Sequence, residues 1–171
     1  MKNSALNTRK LVVAGLFCAL ITVLTMISIS VPGGMGAFIH FGDAVVFVAA
    51  YFLGGLYGSL SAGIGSALAD IILGVPMYAP ATFIIKGAMA FLACFLVGKL
   101  GRKKYFISFL IAGLIMPIGY FLYEWVLLSF PVALANIPYN LIQYAAGIAV
   151  STVLLFALNK INIKGGLMNG D

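Results

Sequence analysis

The sequence predicts an all-α integral membrane protein with six transmembrane helices and with both termini in the cytoplasm. Three observations lead to this prediction. Hydrophobic residues make up 63% of the 171 residues and charged residues only 8%, whereas soluble domains carry roughly a quarter charged residues. Several apolar stretches reach the ~20 residues that a helix needs to cross a bilayer. The basic residues lie almost entirely between these stretches.

Glycine and proline residues divide the apolar sequence into six segments, because both residue types interrupt helices. The first segment is too long to be the apolar part of a cleaved signal peptide. The second is short and is bounded by glycines. We expect a single membrane domain with spans at about residues 11–31, 38–53, 57–73, 80–100, 105–129 and 133–158.

The basic residues predict the orientation of the bundle. With six spans, nine of the ten Lys and Arg residues fall on one side, which the positive-inside rule assigns to the cytoplasm. The net charge of +6 therefore reflects topology in a prokaryotic cell membrane rather than binding to nucleic acid. The nine residues are Lys2, Arg9, Lys10, Lys99, Arg102, Lys103, Lys104, Lys160 and Lys164.

Polar side chains within the spans concentrate in the half of each span that faces outside. A charged residue inside a bilayer costs at least ~2.5 kcal/mol and normally faces a cavity or a partner. The pattern therefore predicts a polar pocket that opens outward and is closed below by apolar packing. The residues concerned are His40, Asp43, Asp70, Lys86, Glu124, Asn136, Asn140 and Gln143.

Four of these residues have both a structural and a ligand-binding interpretation. Asp70 and Lys86 lie on consecutive segments, so they could pair with each other or contact a ligand directly. His40 and Asp43 lie at the start of the second segment. Solvation or helix capping is a sufficient explanation for them, although His40 remains a candidate ligand contact.

The aromatic residues near the outer ends allow the same two interpretations. Glu124 is close enough to the outer end to reach water, and Tyr120, one helical turn earlier, could hydrogen-bond to it. Tyr78, Tyr123 and Trp125 are typical of the aromatic belt at a membrane interface. We count Glu124, Tyr120 and Tyr78 among the candidate ligand contacts.

The segment "NIPYNLIQ" gives the clearest signal for binding. In a helix, Asn136, Asn140 and Gln143 share one face, at the i, i+4, i+7 spacing. Amides can hold membrane helices together. Three of them on one face, beside Tyr139 and Tyr144, favour a flat, polar, aromatic ligand.

The sequence offers little for catalysis. It contains one histidine, no G-x-S-x-G motif and no G-x-x-x-x-G-K-[ST] phosphate-binding loop. The glycines of "GGLYGSLSAGIG" follow the small-xxx-small pattern of helix packing. Cys18 and Cys94 lie inside apolar segments, where cysteine acts as a small packing residue. We expect no metal and no cofactor.

One long stretch resembles the substrate-binding S components of energy-coupling factor (ECF) vitamin transporters, in the branch that includes riboflavin, hydroxymethylpyrimidine and pyridoxine-type proteins. The resemblance also covers "NIPYNLIQ" and the six-span plan. It implies a vitamin bound from outside, near the outer ends of the later helices. The stretch reads "FIHFGDAVVFVAAYFLGGLYGSLSAGIGSALADIILGVPMYAPATFIIKG".

The resemblance also implies partners. An S component has no ATPase of its own. It works with a membrane T subunit and two cytosolic ATP-binding subunits, and it delivers its ligand by tilting in the membrane. Small residues of the first helix, often in an A-x-x-x-A motif, contact the T subunit. Here "AGLFCAL" is not a literal match, and it supplies Gly15 and Ala19 with Ala14 and Cys18 beside them.

Two other functional classes remain open from the residues. A self-sufficient proton-coupled transporter could use Asp70, Lys86 and Glu124 as a relay, although the inner half lacks the ionisable groups that a continuous relay needs. An integral membrane enzyme could use the same residues for acid–base chemistry. The amides, tyrosines and charges fit a thiamine-precursor pyrimidine, pyridoxine or riboflavin, so the sequence does not select among these ligands.

Overall fold

Helices form almost all of the part of the chain that the computed structural model describes, which is residues 2–30 and 38–160. A short 3-10 helix at Arg102–Lys104 and one small sheet complete these ranges. The α-helices and strands are α1 (Lys2–Met26), β1 (Ser28–Ser30), β2 (Phe38–His40), α2 (Gly42–Leu53), α3 (Gly55–Ile72), α4 (Ala79–Leu100), α5 (Tyr105–Gly113), α6 (Ile115–Leu127) and α7 (Phe130–Lys160).

The α-helices form six helical units, because the 3-10 helix, α5 and α6 follow one another as a single apolar stretch. Within the described ranges, four stretches are long and apolar enough to cross a bilayer. The helix α2 is apolar but shorter, and α3 completes the six. The predicted helical membrane class is therefore confirmed. The four long stretches are Thr8–Met26, Ala79–Leu100, Arg102–Leu127 and Phe130–Lys160.

The junction between the first two spans differs from the prediction. The helix α1 ends at Met26, before the predicted end at residue 31, and β1 follows it. The strand β2 occupies the predicted start of the second helix and pairs antiparallel with β1, with Ser28 opposite His40. Pairing satisfies backbone groups that a helix end leaves without partners. The predicted junction at residues 32–34 and Lys164 lie outside the described residues.

The fifth span is also interrupted, between α5 and α6 at Leu114. Pro117 lies in the first turn of α6 and has no N–H to donate to the carbonyl of Gly113, four residues earlier. One bond of the helical ladder is therefore missing where α5 ends. The predicted single helix at residues 105–129 is in fact two helices joined by a short break.

The helix α2 is the core of the bundle. All twelve of its residues are buried, and it packs on α1, α3, α4 and α7. A helix that is apolar on every side belongs inside a bundle. Glycines let neighbouring helices approach it closely. A methyl group on Gly147 of α7 would lie only 2.9 Å from the Cβ atom of Asp43, and one on Gly58 would lie 3.1 Å from the Cα atom of Ala50.

Candidate functional site

A polar cavity lies at one end of the bundle, where α1, α3 and α6 end, α4 and α7 begin, and β2 leads into α2. Water-sized molecules can enter only about 40 Å³ of the space between its side chains, which is room for a few waters. A larger ligand therefore requires the lining to open. The lining residues are Thr25, His40, Asp70, Leu73, Tyr78, Thr82, Tyr120, Glu124, Asn140 and Gln143.

The opposite end of the bundle carries the exposed basic residues. Lys99 lies in the last turn of α4 and Lys160 ends α7, and both are exposed. Between them, the guanidinium of Arg102 lies 4.9 Å from the ring centre of Tyr51, on the last turn of α2. The cavity and the basic residues therefore occupy opposite ends of the same helices.

A buried ion pair lies beneath the cavity lining and is joined to it through Gln143. The Lys86 Nζ atom lies 2.5 Å from Asp43 Oδ1, and both side chains are excluded from solvent. The Gln143 Nε2 atom donates to the other oxygen of Asp43, Oδ2, at 2.8 Å. The sequence left open whether Lys86 pairs with Asp70 or contacts a ligand. The structure pairs it with Asp43 instead, because α2 lies between α4 and α7 and brings Asp43 to Lys86. Asp43 is neither solvated nor a helix cap.

His40 lies near this ion pair, beside Gln143. The backbone N–H of Gly42 donates to its Nδ1 atom at 3.2 Å, and its Nε2 atom lies 3.3 Å from the Gln143 Nε2 atom. Burial lowers the pKa of His40 to about 4, Asp43 opposes this change, and Lys86 adds to it. The imidazole is therefore neutral at physiological pH, as its role as an acceptor for Gly42 requires.

A short chain of hydroxyl groups leads to Asp70. The hydroxyls of Tyr120 and Thr82 lie 2.9 Å apart, and Thr82 in turn hydrogen-bonds to Asp70. The hydroxyl of Tyr120 is therefore hydrogen-bonded to Thr82. The hydrogen bond between Tyr120 and Glu124 that the sequence allowed does not form. Asp70 is 9% exposed, and its Oδ2 atom has no partner.

Glu124 occupies the opposite wall with Tyr78 and Asn136 beside it. It is 2% exposed, so it does not reach bulk water, contrary to the expectation. Tyr78 is buried as well and so does not belong to a surface aromatic belt. Burial, and then the nearby Glu124, raise the pKa of Tyr78. Its phenol therefore stays protonated and can donate a hydrogen bond.

Unpartnered polar atoms concentrate around this cavity. Within the described residues, seven buried side-chain atoms have no hydrogen-bond partner, and five of them belong to the cavity or to Asn136 beside Glu124. An unsatisfied buried polar group costs ~1–3 kcal/mol, and native proteins contain few. The five atoms are Thr25 Oγ1, Asp70 Oδ2, Glu124 Oε2, Asn136 Nδ2 and Asn140 Nδ2.

The amide stripe of α7 faces this region, as its spacing suggests. Asn140 and Gln143 line the cavity, and Asn136 is buried one turn earlier. The two tyrosines beside the stripe turn elsewhere. Tyr139 is not in the lining, and the hydroxyl of Tyr144 donates to the carbonyl of Leu110 on α5 at 2.8 Å.

Sequence reasoning missed two hydroxyl residues of the lining, Thr25 and Thr82. Thr25 lies in the last turn of α1 and lines the cavity, so the first helix contributes to the pocket as well as carrying the predicted docking residues. Thr22, one turn earlier, bonds to the backbone carbonyls of Cys18 and Gly65. A threonine in an apolar helix commonly forms such local bonds, so neither hydroxyl residue carries a sequence signal of its own.

The small residues of α1 divide between two faces. Ala14 and Cys18 face α3: the hydroxyl of Ser61 donates to the carbonyl of Ala14 at 2.9 Å, and a methyl group on Gly65 would lie 2.6 Å from the carbonyl of Cys18. Gly15 and Ala19 lie on the exposed face. The predicted docking set of four is therefore reduced to these two exposed positions, because α3 covers the other two.

Within the described residues, no group of three or more His, Cys, Asp or Glu side chains could hold a metal ion. The side chains around the cavity are instead amides, hydroxyls and separate carboxyl groups. Side chains of this kind can form hydrogen bonds with an organic ligand.

Comparisons with known proteins identify a family of transporter components and a related transporter. The model of a family described as "ECF-type riboflavin transporter, S component" matches residues 5–160. The thiamine precursor transporter HmpT of Lactococcus lactis is 26% identical over 161 residues, which cover 94% of this chain and 93% of that protein. A Pyrococcus woesei protein, described as an uncharacterized protein in the gap 3' region, is 32% identical over 142 residues, which cover 82% of this chain and 95% of that protein.

Proposed function

Because the chain belongs to the family of S components of ECF-type riboflavin transporters, a group of multi-pass cell membrane proteins, we propose that it is the substrate-binding subunit of an ATP-driven uptake transporter. It captures a small water-soluble vitamin or vitamin precursor from outside the cell. It then delivers this ligand to the cytoplasm by tilting in the membrane.

The unpartnered polar atoms around the cavity carry this proposal. Asp70, Glu124 and Asn136 are each at least nine-tenths buried, yet each leaves a polar atom without a partner. A bundle that needed these residues only for stability would pair them, because each unpaired group destabilises the fold. A bound ligand with several donors and acceptors would satisfy them.

The distribution of charge supports entry from the outside. Exposed basic residues lie at the end of the bundle opposite the cavity, with Lys99 and Lys160 at the ends of α4 and α7. The positive-inside rule assigns that end to the cytoplasm. The cavity then faces outward, and both termini of the chain lie inside.

The partners follow from the family and from the free face of α1. The chain has no phosphate-binding loop, so ATP hydrolysis belongs to two cytosolic ATP-binding subunits joined through a membrane T subunit. We propose that the T subunit packs on the face of α1 that carries Gly15 and Ala19, both exposed. Small residues allow two membrane helices to approach closely.

Binding to the purified protein tests the first half of this proposal. Calorimetry in detergent with hydroxymethylpyrimidine, pyridoxine and riboflavin should find at least one tight ligand. Asn136→Leu should weaken its binding. Thr152→Val is a matched control, because Thr152 also has an unpartnered buried hydroxyl but lies 12 positions after Asn140 on α7, about 18 Å along the helix axis. The absence of binding by all three compounds would contradict the proposal.

Uptake tests the second half. Cells that make this chain together with the T subunit and both ATP-binding subunits should accumulate the ligand, and cells that make this chain alone should not. Uptake driven by a proton gradient into vesicles that contain only this chain would instead favour a self-sufficient proton-coupled transporter. Chemical turnover of the ligand by the purified chain would favour an enzyme.

A further inference from the structure

The charges around the cavity do not cancel. Lys86 is the one basic residue of α4 near this end, and it is engaged at 2.5 Å by Asp43. His40 accepts the N–H of Gly42 on its Nδ1 atom and is therefore neutral. Two further carboxyl groups, Asp70 and Glu124, line the cavity, and no Lys or Arg among the described residues does. The cavity is thus rich in acidic groups and has no cation to offer a ligand.

Asp70 presents one oxygen to the cavity. Its side chain receives a hydrogen bond from Thr82, whose own oxygen lies 2.9 Å from the hydroxyl of Tyr120. If Tyr120 donates to Thr82 and Thr82 donates to Asp70, each hydroxyl is used once and the chain ends on a carboxylate acceptor. The remaining oxygen, Oδ2, has no partner and can accept a donor from a ligand.

Glu124 repeats the arrangement on the other wall. Asn136 and Tyr78 lie beside its carboxyl group, and both carry N–H or O–H donors. Its Oε2 atom has no partner, although the side chain is 2% exposed. The hydroxyl of Tyr78 thus serves one part of this carboxyl group, and a free acceptor remains in the cavity.

We propose that the cavity selects a single-ring heteroaromatic amine: a ligand that directs N–H donors at Asp70 and Glu124 and carries no anionic group. This proposal rests on the proposed function and names its substrate class. The free amide nitrogen of Asn140 complements it, because a ring nitrogen or a hydroxyl can accept its N–H. Water-sized molecules enter only about 40 Å³ of the cavity, so a single ring requires less opening of the lining than three rings do.

The same charges disfavour phosphorylated or carboxylated ligands. An anion in this cavity would lose its hydration and meet two carboxyl groups. It would gain no free cation, because separating Lys86 from Asp43 leaves a buried charge unpaired. Neutral or cationic amines avoid each of these costs, and they place donors on the oxygen atoms that lack them.

Matched ligands test the proposal on the unmodified protein. The probes for calorimetry are hydroxymethylpyrimidine, which carries a ring amino group, the analogue with a carbonyl in place of that amino group, and the monophosphate ester. We expect the carbonyl analogue to bind ~5- to 150-fold more weakly, since it leaves a buried acceptor without a donor. The monophosphate should bind more weakly still.

Isosteric variants show which carboxyl groups cause the preference for the amino ligand over the carbonyl analogue. Glu124→Gln and Asp70→Asn keep the shape of each side chain but replace an acceptor oxygen with an N–H₂ group. Each variant should reduce the ratio of amino to carbonyl affinity, whereas Thr152→Val should leave this ratio unchanged. The ratio is informative even if a variant lowers overall affinity, because both ligands report on the same folded fraction.

The outcomes separate this inference from the proposed function. Equal or tighter binding of the carbonyl analogue, the monophosphate or riboflavin would overturn the amine preference and leave the transporter assignment intact. An unchanged affinity ratio in both carboxyl variants would also overturn it. Failure of these probes, pyridoxine and riboflavin alike to bind would overturn both conclusions.

Discussion

The Lys86 ammonium and the Asp43 carboxylate meet 2.5 Å apart beneath the cavity, and neither side chain is more than 2% exposed. Lys86 comes from α4 and Asp43 from the first turn of α2. Gln143 of α7 donates to the same carboxylate. One carboxylate therefore ties three helices together and fixes which way the Gln143 amide points.

We expect the two charges to be strongly coupled in stability. Removal of either partner leaves a buried charge uncompensated, which costs about 3–5 kcal/mol, whereas removal of both is often close to neutral. Asp43→Asn and Lys86→Met should each lower the thermal midpoint in detergent markedly. The double variant should recover much of the loss. Additive losses in this double-mutant cycle would show that the pair is not coupled.

The amides of α7 should contribute directly to affinity. Asn140→Leu removes a donor that has no partner among the residues that the structure describes. It should therefore weaken ligand binding by ~1–3 kcal/mol, about 5- to 150-fold, without loss of folded protein. Gln143→Leu should weaken binding too, but it should also lower stability, because Asp43 loses a donor at 2.8 Å. Unchanged affinity in both variants, measured by calorimetry, would rule out an amide-based site.

His40 should make stability sensitive to acid. Its pKa is about 4 in the folded protein, against an ordinary value of 6.5. The unfolded chain therefore binds more protons between these values, and the stabilisation present above about pH 6.5 is lost as the pH falls toward 4. Protonation at Nδ1 would also place an N–H against the donating N–H of Gly42, which lies 3.2 Å away.

Thermal unfolding in detergent between pH 4 and 8 measures this effect, and His40→Asn is the matched variant. The Asn oxygen can accept the same backbone N–H but does not titrate. The variant should therefore lose less stability than the unmodified protein as the pH falls below about 6.5. Parallel pH profiles for the two proteins would assign the acid sensitivity to the carboxyl groups instead.

Hydropathy and charge order were enough to predict the membrane class, the succession of spans and the concentration of polar groups at one end of them. These properties depend on the local cost of placing each side chain in a bilayer. The stripe of Asn136, Asn140 and Gln143 was equally readable, since the helical repeat alone places these residues on one face.

The ion-pair partner of Lys86 could not be predicted from hydropathy and charge order. Hydropathy says how deep a side chain lies but not which helices are neighbours, and Asp43 and Asp70 lie at similar depths on different helices. The choice depends on α2 packing between α4 and α7, which the missing side chain of Gly147 permits by close approach to Asp43. The sequence did not predict Thr25 and Thr82 as lining residues for a related reason. Hydroxyl groups in apolar helices usually bond to their own backbone, so their presence does not indicate a site.

The free face of α1 gives the sharpest test of partner docking. Gly15→Trp and Ala19→Trp place a large side chain on an exposed surface, and Gly15 has no neighbouring atom within 4 Å of the position that a side chain would take. The isolated protein should fold and bind ligand as before. Uptake in cells that make the T subunit and both ATP-binding subunits should fall strongly, because a bulky residue separates closely packed membrane helices.

Two controls make that result specific. Val153→Trp adds the same bulk to an exposed position on α7, where Val153 is 67% exposed, and it should leave uptake unchanged. Ala14→Trp should instead reduce folding and ligand binding, because Ala14 is buried against α3, where Ser61 bonds to its carbonyl. If Gly15→Trp and Ala19→Trp abolish ligand binding but still co-purify with the T subunit, the exposed face of α1 supports the cavity and the partner docks elsewhere.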